Sequence, residues 1–231
     1  MTKVFTLIEL LIVVAIIGIL VSILMPSLSK SREIVLTTSC MNNQRNIMLA
    51  VKMYAEGNND KLDWRKNHQK WTDNGVELNQ QDNEAYWGVP YATYLSDHES
   101  YKVRSKVFKC PKSQEVDPWV DFTVNGQYTT YGFNGVRYNN TRTFFDDTGS
   151  YTGAAAKNTS TITNPEKIIL MHDAYESMLD GNGDTPVSLT QWSNKSIEYF
   201  RHLGKMSILW FDGHATIKNS TGWTWEMYVE Y

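Results

Sequence analysis

Between Phe5 and Met25 only Thr6, Glu9 and Ser22 are polar. A helix of that length covers ~30 Å at about 1.5 Å per residue, the thickness of bilayer hydrocarbon, so the pattern predicts a membrane-spanning helix. Only residues 1–4 precede it, with Lys3 as the single basic side chain, and no small-residue cleavage site follows the apolar run. Those features describe a retained span rather than a secretory signal. Residues 27–56 then contain neither Gly nor Pro, and Leu36, Cys40, Ile47, Val51 and Tyr54 recur at helical spacing on one stripe. Gly57, followed by Asn58 and Asn59, supplies a stop. The expectation is one helix of roughly 50 residues and ~75 Å, apolar all round in its first half (5–26) and amphipathic in its second (27–57). Pro26 sits near the boundary, where a break in the helical hydrogen-bond ladder is tolerated.

Beyond Gly57 the pattern changes to short alternating runs separated by polar loops, which predicts a globular domain over 58–231 with a small sheet packed on the amphipathic half of the helix. The candidate strands are Val107 to Cys110, Gln127 to Phe133, Lys167 to His172, Ile197 to Phe200, Ser207 to Phe211 and His214 to Lys218. Residues 139–164 are rich in Asn, Thr, Gly and Ser and read as a long surface excursion. Asp212-Gly213, between two strand-like runs, suits a two-residue type I′ hairpin turn. The fold class expected is α+β, a long N-terminal helix against an antiparallel sheet.

Composition narrows the function classes. A chain of 231 residues allows one ordinary domain beside the membrane segment, and a net charge of −3 without any dense Lys/Arg block argues against nucleic acid as a partner. Aromatic residues make up 13% of the chain; they suit a sugar-binding or adhesive face, but ordinary sheet cores also use them, and the core reading is preferred for most of the Trp. Two cysteines are too few for a disulfide scaffold but suffice for one bridge outside the cytoplasm.

The stretch Phe5-Thr6-Leu7-Ile8-Glu9-Leu10-Leu11, after a very short leader with a Lys, closely resembles the prepilin cleavage and methylation segment of type IV pilins and type II secretion pseudopilins. Pro26 stands where that family has its helix proline. His202, nine intervening residues and Asp212-Gly213 reproduce the H-X9-DG pattern found near the C-terminus of many prepilin-type proteins. The resemblance covers both ends of the chain and only loosely residues 60–160. It implies a pilin-like fold, a leader over 1–4 cut between Val4 and Phe5 by a prepilin peptidase, N-methylation of Phe5, and packing of the helix into a filament core. It also implies an inner-membrane subunit with its C-terminal domain outside the cytoplasm, whose partners are itself, other pilins or pseudopilins and an assembly platform. Val4 departs from the Gly usual at the cleavage position, which bears on processing.

Within that frame Glu9 acquires a role. A lone carboxylate in hydrocarbon costs several kcal/mol, so it has to be neutral, paired or at the interface. The resemblance implies pairing with the freed Phe5 amine of a neighbouring subunit, which would set axial register. His202 and Asp212 fall at opposite ends of a strand, up to ~30 Å apart along an extended chain, which favours structural roles over joint chemistry with His214. Asp180, Asn182 and Asp184 alternate as oxygen ligands do at the start of a calcium loop, but Thr185 and Gln191 depart from the EF-hand pattern, so calcium stands beside a plain polar turn. Cys40 lies on the apolar stripe and Cys110 precedes Pro111. A bridge between them would tie helix to sheet and contribute about 4 kcal/mol on loop-entropy grounds; two free buried thiols are the alternative. A cysteine in this part of the helix and a later Cys-Pro also resemble the H-X9-DG proteins. No nucleophile with a base, HExxH or phosphate-binding glycine loop stands out. The expectation is a non-enzymatic structural subunit of a pilus or secretion pseudopilus, the alternative being a membrane-anchored or filament-tip module that binds polysaccharide or a secreted protein.

Overall fold

The computed structural model describes residues 6–62, 71–73, 76–78, 88–95, 106–114, 129–134, 137–138, 142–143, 159–175, 178–179 and 183–228. Val4, Phe5, Asp180, Asn182 and most of the 139–164 excursion lie outside the described residues.

Helix α1 (Leu7–Gly57) runs 51 residues without interruption through Pro26. Its start is a capping box: Thr6 Oγ1 accepts from the Glu9 backbone N–H, and the Glu9 carboxylate accepts from the Thr6 N–H and hydroxyl at 2.8 Å each. Among the described residues nothing packs against the first half, and Leu7 to Leu28 are exposed all round. The helix meets the domain from Glu33 onward, and its buried face is Cys40, Gln44, Ile47, Met48, Ala50, Val51 and Ala55. The predicted stripe is close to this face, but Leu36 and Tyr54 are only half-buried and polar Gln44 is fully buried.

The remaining elements follow in chain order: β1 (Trp71–Asp73), β2 (Val76–Leu78), the single helical turn α2 (Val89–Ala92), β3 (Tyr131–Asn134), β4 (Arg137–Tyr138), β5 (Arg142–Thr143), β6 (Ile169–Asp173), β7 (Met178–Leu179), a second single turn α3 (Ser196–Tyr199), β8 (Lys205–Trp210) and β9 (Ala215–Asn219). The main sheet has the order β7-β3-β6-β8-β9, antiparallel from β3 to β9, with β7 added parallel to β3 at the edge. The molecule is therefore α+β, with a long apolar N-terminal helix and a C-terminal antiparallel sheet. Two predicted strands are helical instead. Val107 to Cys110 begins in a 3-10 turn (Lys106–Phe108), and Ile197 to Phe200 lies in α3 and its C-cap. Both are four-residue runs, too short for alternation to be told from one helical turn.

The sheet is covered on both faces. On one, α1 packs over Leu170, Met171, Tyr131, Phe133 and Leu209, while Tyr91 of α2 stacks on Phe133 at 6.2 Å. On the other, Ile169, Met206, Ile208, Leu179, Tyr199 and Tyr228 form a second core flanked by Trp192, Trp210, Trp223 and Trp225. These four Trp are thus packing residues, as the core reading expected. A register shift between Ile169 and Met171 interrupts β6. Strict alternation from Ile169 on the outer face would put Asp173 on that face too. The bulge moves every later side chain to the other side, so His172 faces Tyr228 and Asp173 faces the helix.

The β8-β9 loop corrects the turn expected from Asp212-Gly213. Trp210 N–H bonds to His214 O and Gly213 N–H to Trp210 O, at 3.0 and 2.9 Å, enclosing a three-residue loop, Phe211 to Gly213. Only Gly213 has a positive φ, +100°, whereas type I′ needs two such residues. Two positive φ values occur instead at Leu203 (+55°) and Gly204 (+76°), between His202 and Lys205, whose backbones exchange hydrogen bonds at 3.0 and 3.1 Å. The tight two-residue turn precedes β8 rather than following it.

Candidate functional site

Where α1 crosses the sheet, four elements deliver Cys40, Cys110, Asp173 and His202 into one buried pocket, their ligand-type atoms all within 4.8 Å of one another. Each comes by a definite local device. Cys40 is on the buried face of α1. Cys110 follows the 3-10 turn and is pinned by its N–H to Thr130 Oγ1 at 2.7 Å. Asp173 is turned inward by the β6 bulge. His202 is the first residue of the tight turn before β8.

Within the pocket, Cys40 Sγ lies 3.5 Å from Asp173 Oδ1, Cys110 Sγ 3.5 Å from His202 Nε2, and His202 Nε2 3.3 Å from Asp173 Oδ2. Asp173 Oδ2 also accepts from the Ser207 N–H and hydroxyl at 2.7 Å each. The Arg201 guanidinium stands 3.8 Å from Oδ1 and donates to the carbonyls of Glu198, Thr130 and Ala174 at 2.6, 3.2 and 2.8 Å, binding the loop to two strand ends. Gln44 donates to Ser207 O and Oγ at 3.3 and 3.0 Å. The hydroxyl of Thr37 lies 3.1 Å from His202 Nδ1 and donates its own proton to Glu33 O at 2.9 Å. It can therefore only accept from His202, which fixes the Nδ1–H form.

Electrostatics couple these groups. Burial pushes the Cys40 thiol well up, and the neighbouring Cys110 and Asp173 add to that. Burial acts the same way on Cys110, but its hydrogen bonds with Cys40 and His202 outweigh it and bring it down to about 6. The two thiols behave as one acid pair, losing the first proton readily and holding the second. Burial also works against charge on His202, yet its bonds to Asp173 and Cys110 dominate and lift it to about 9. Asp173, which burial alone would raise, is held below the usual carboxylate range by Arg201 and His202.

Cysteine, histidine and aspartate together invite a nucleophilic reading, but the geometry is wrong for a relay. A relay uses one ring nitrogen for the nucleophile and the other for the orienting carboxylate. Here Cys110 and Asp173 both meet Nε2, and Nδ1 belongs to Thr37. All four residues are at most 2% exposed, which leaves no path for a substrate.

The cysteine expectation is half met and half corrected. The fold brings Cys40 and Cys110 together, but as free thiols and not as a disulfide. Each sulfur has other polar company, Tyr131 OH at 3.2 Å and Ser207 Oγ at 3.5 Å for Cys40 and His202 for Cys110. His202 and Asp212 stand at opposite ends of β8 as expected. Asp212 Oδ1 accepts from the His214 backbone N–H at 3.0 Å and lies 2.6 Å from its Nδ1, while its carbonyl accepts from Lys52 on α1 at 3.2 Å. Gly213 lies so near α1 that a Cβ there would sit 3.3 Å from Met48 Cγ. Both halves of the H-X9-DG pattern thus fasten β8 to α1, His202 at one end and Asp212-Gly213 at the other. Of the calcium candidates only Asp184 is described, and it is buried.

Asp173 was missed by sequence reasoning, along with the convergence of four residues from distant parts of the chain. Their separations, 70, 63 and 29 positions by their numbers, match no short ligand motif, and the bulge that aims Asp173 leaves no signature in the string. The one available signal was chemical: two cysteines and a histidine already singled out in one small domain. Apart from this buried cluster, the bare half of α1 is long and apolar enough to cross a membrane. In comparisons with protein-family models, curated proteins and solved structures, the chain has no match.

Proposed function

We propose that this chain is a subunit of an envelope filament of the type IV pilus or type II secretion pseudopilus class, held in the inner membrane by α1 and assembled by packing α1 against its neighbours. The observation that carries the reading is the bare first half of α1: Leu7 to Leu28 carry one carboxylate, Glu9, and every side chain is exposed. Such a surface needs lipid before assembly and other helices after it. Its continuity with the outer half makes one rigid rod joined to the domain, so a force or register set in the core reaches the sheet directly. In this reading the leader is removed between Val4 and Phe5, the new amine is methylated, and the globular domain lies outside the cytoplasm.

Glu9 carries the assembly step. In the single chain its carboxylate is satisfied by Thr6, so the subunit tolerates the membrane before it meets a partner. The amine of an adjacent mature chain then adds a stronger, charged partner. The test is Glu9→Ala in the full chain. It removes the pairing and leaves the apolar rod, so membrane insertion stays at the wild-type level while sheared filament yield falls at least about tenfold, the equivalent of ~1.4 kcal/mol per interface. Unchanged filament yield would remove the register role of Glu9, and absence of the wild-type chain from sheared filaments would leave a membrane-anchored binding module as the better account.

A further inference from the structure

We propose that Cys40, Cys110, Asp173 and His202 form a structural zinc site that clamps α1 to the sheet. This lies beyond the filament reading and does not depend on it. Zinc takes thiolate sulfur at ~2.3 Å and nitrogen or carboxylate oxygen at ~2.0–2.2 Å in a closed tetrahedron. Those bond lengths require edges of about 3.5 Å for sulfur to nitrogen or oxygen and about 3.4 Å for nitrogen to oxygen. The pocket has sulfur to oxygen at 3.5 Å, sulfur to nitrogen at 3.5 Å and nitrogen to oxygen at 3.3 Å. Three of the six edges therefore stand at tetrahedral length, Asp173 meeting Cys40 through Oδ1 and His202 through Oδ2, and the ligand atoms from all four elements lie within 4.8 Å of one another.

The surroundings are those of a ligand set. A metal-bound histidine normally gives its second N–H to an oxygen, which fixes ring and tautomer. Thr37 takes the Nδ1–H of His202, and Nε2 faces Cys110 and Asp173. Ser207 orients Asp173 through two hydrogen bonds of 2.7 Å, as outer partners of a coordinating carboxylate do. Two thiolates select a thiophilic ion over calcium or magnesium, and a full set of four protein ligands marks a structural rather than catalytic zinc. Coordination requires both sulfurs as thiolates and His202 neutral at Nε2, so the ion replaces protons as the positive charge among buried anions. With no disulfide formed, the ion supplies the cross-link between helix and sheet that a bridge would have given.

The first measurement is metal content and thiol count of the full chain purified in detergent without chelator. We expect about one zinc per chain and two thiols that react only after denaturation with a chelator present. Zinc near zero, with either two freely titrating thiols or none because a disulfide has formed, would overturn the proposal. Because Cys110→Ser alters a fully buried core position, cobalt(II) replacement in the wild type gives a second readout that needs no substitution. A sulfur-to-cobalt charge-transfer band with intense tetrahedral d–d bands is expected, and a weak octahedral spectrum would refute the site. Thr37→Val keeps all four ligands and removes only the partner of Nδ1, so zinc affinity should fall about 10- to 100-fold. An unchanged affinity would contradict the assigned tautomer lock.

Discussion

His172 is neutral in the folded protein because both its nitrogens are committed to that form. Nδ1–H donates to the Asp173 carbonyl at 2.7 Å, and Nε2 accepts from the Tyr228 hydroxyl at 2.9 Å. Burial, the largest influence, holds its pKa at about 4 against an ordinary 6.5. Between those values the unfolded chain binds a proton that the folded chain refuses, so stability is full above the ordinary value and falls as pH drops toward the folded one. The slope from this group approaches about 1.4 kcal/mol per pH unit. Denaturant titrations across that window should show His172→Phe losing less stability with acid than the wild type; equal slopes would contradict the assignment. Neither the burial of His172 nor the opposite facing of Asp173 was legible in the sequence. The run from Lys167 to His172 was rightly read as a strand, but facing depends on a bulge that apolar content at 169–171 does not reveal. Cys40, Cys110 and His202 were legible as individuals, since each lies in a pattern that marks it. Their meeting is a property of the chain's path.

The elements divide by how much local pattern they carry. Helix α1 was legible almost to its ends because apolar composition, stripe and stop all point the same way, and β6, β8 and β9 were found within two residues for the same reason. Turns were less legible because Asp-Gly has more than one use: here Gly213 supplies the left-handed residue of a three-residue loop. The turn that positions His202 was hidden because it places a leucine where glycine or asparagine is usual. Leu203 has φ +55° and its side chain is 69% exposed, so it carries the left-handed cost of ~1–2 kcal/mol and gains little burial in return. Leu203→Gly should therefore stabilise the full chain by about 1 kcal/mol in denaturant unfolding, with the site left intact. A destabilisation of that size would mean that Leu203 makes a contact worth more than its strain.

At the scale of the whole molecule the two halves of α1 do different jobs with one backbone. The outer half is fastened to the sheet at the buried polar cluster, at Gln44 and at the Lys52 contact with Asp212. Among the described residues the inner half extends ~38 Å from Leu7 to Arg32 without touching the domain. A domain fixed to a bare apolar rod is suited to assembly through the rod, with the domain left at the periphery. The measurement that bears most directly on this account is intact mass and N-terminal analysis of the chain from the cell envelope and from sheared surface material. The account predicts a mature chain beginning at N-methylated Phe5, present in the sheared filaments. A chain still beginning at Met1 or Thr2, confined to the membrane fraction, would contradict it.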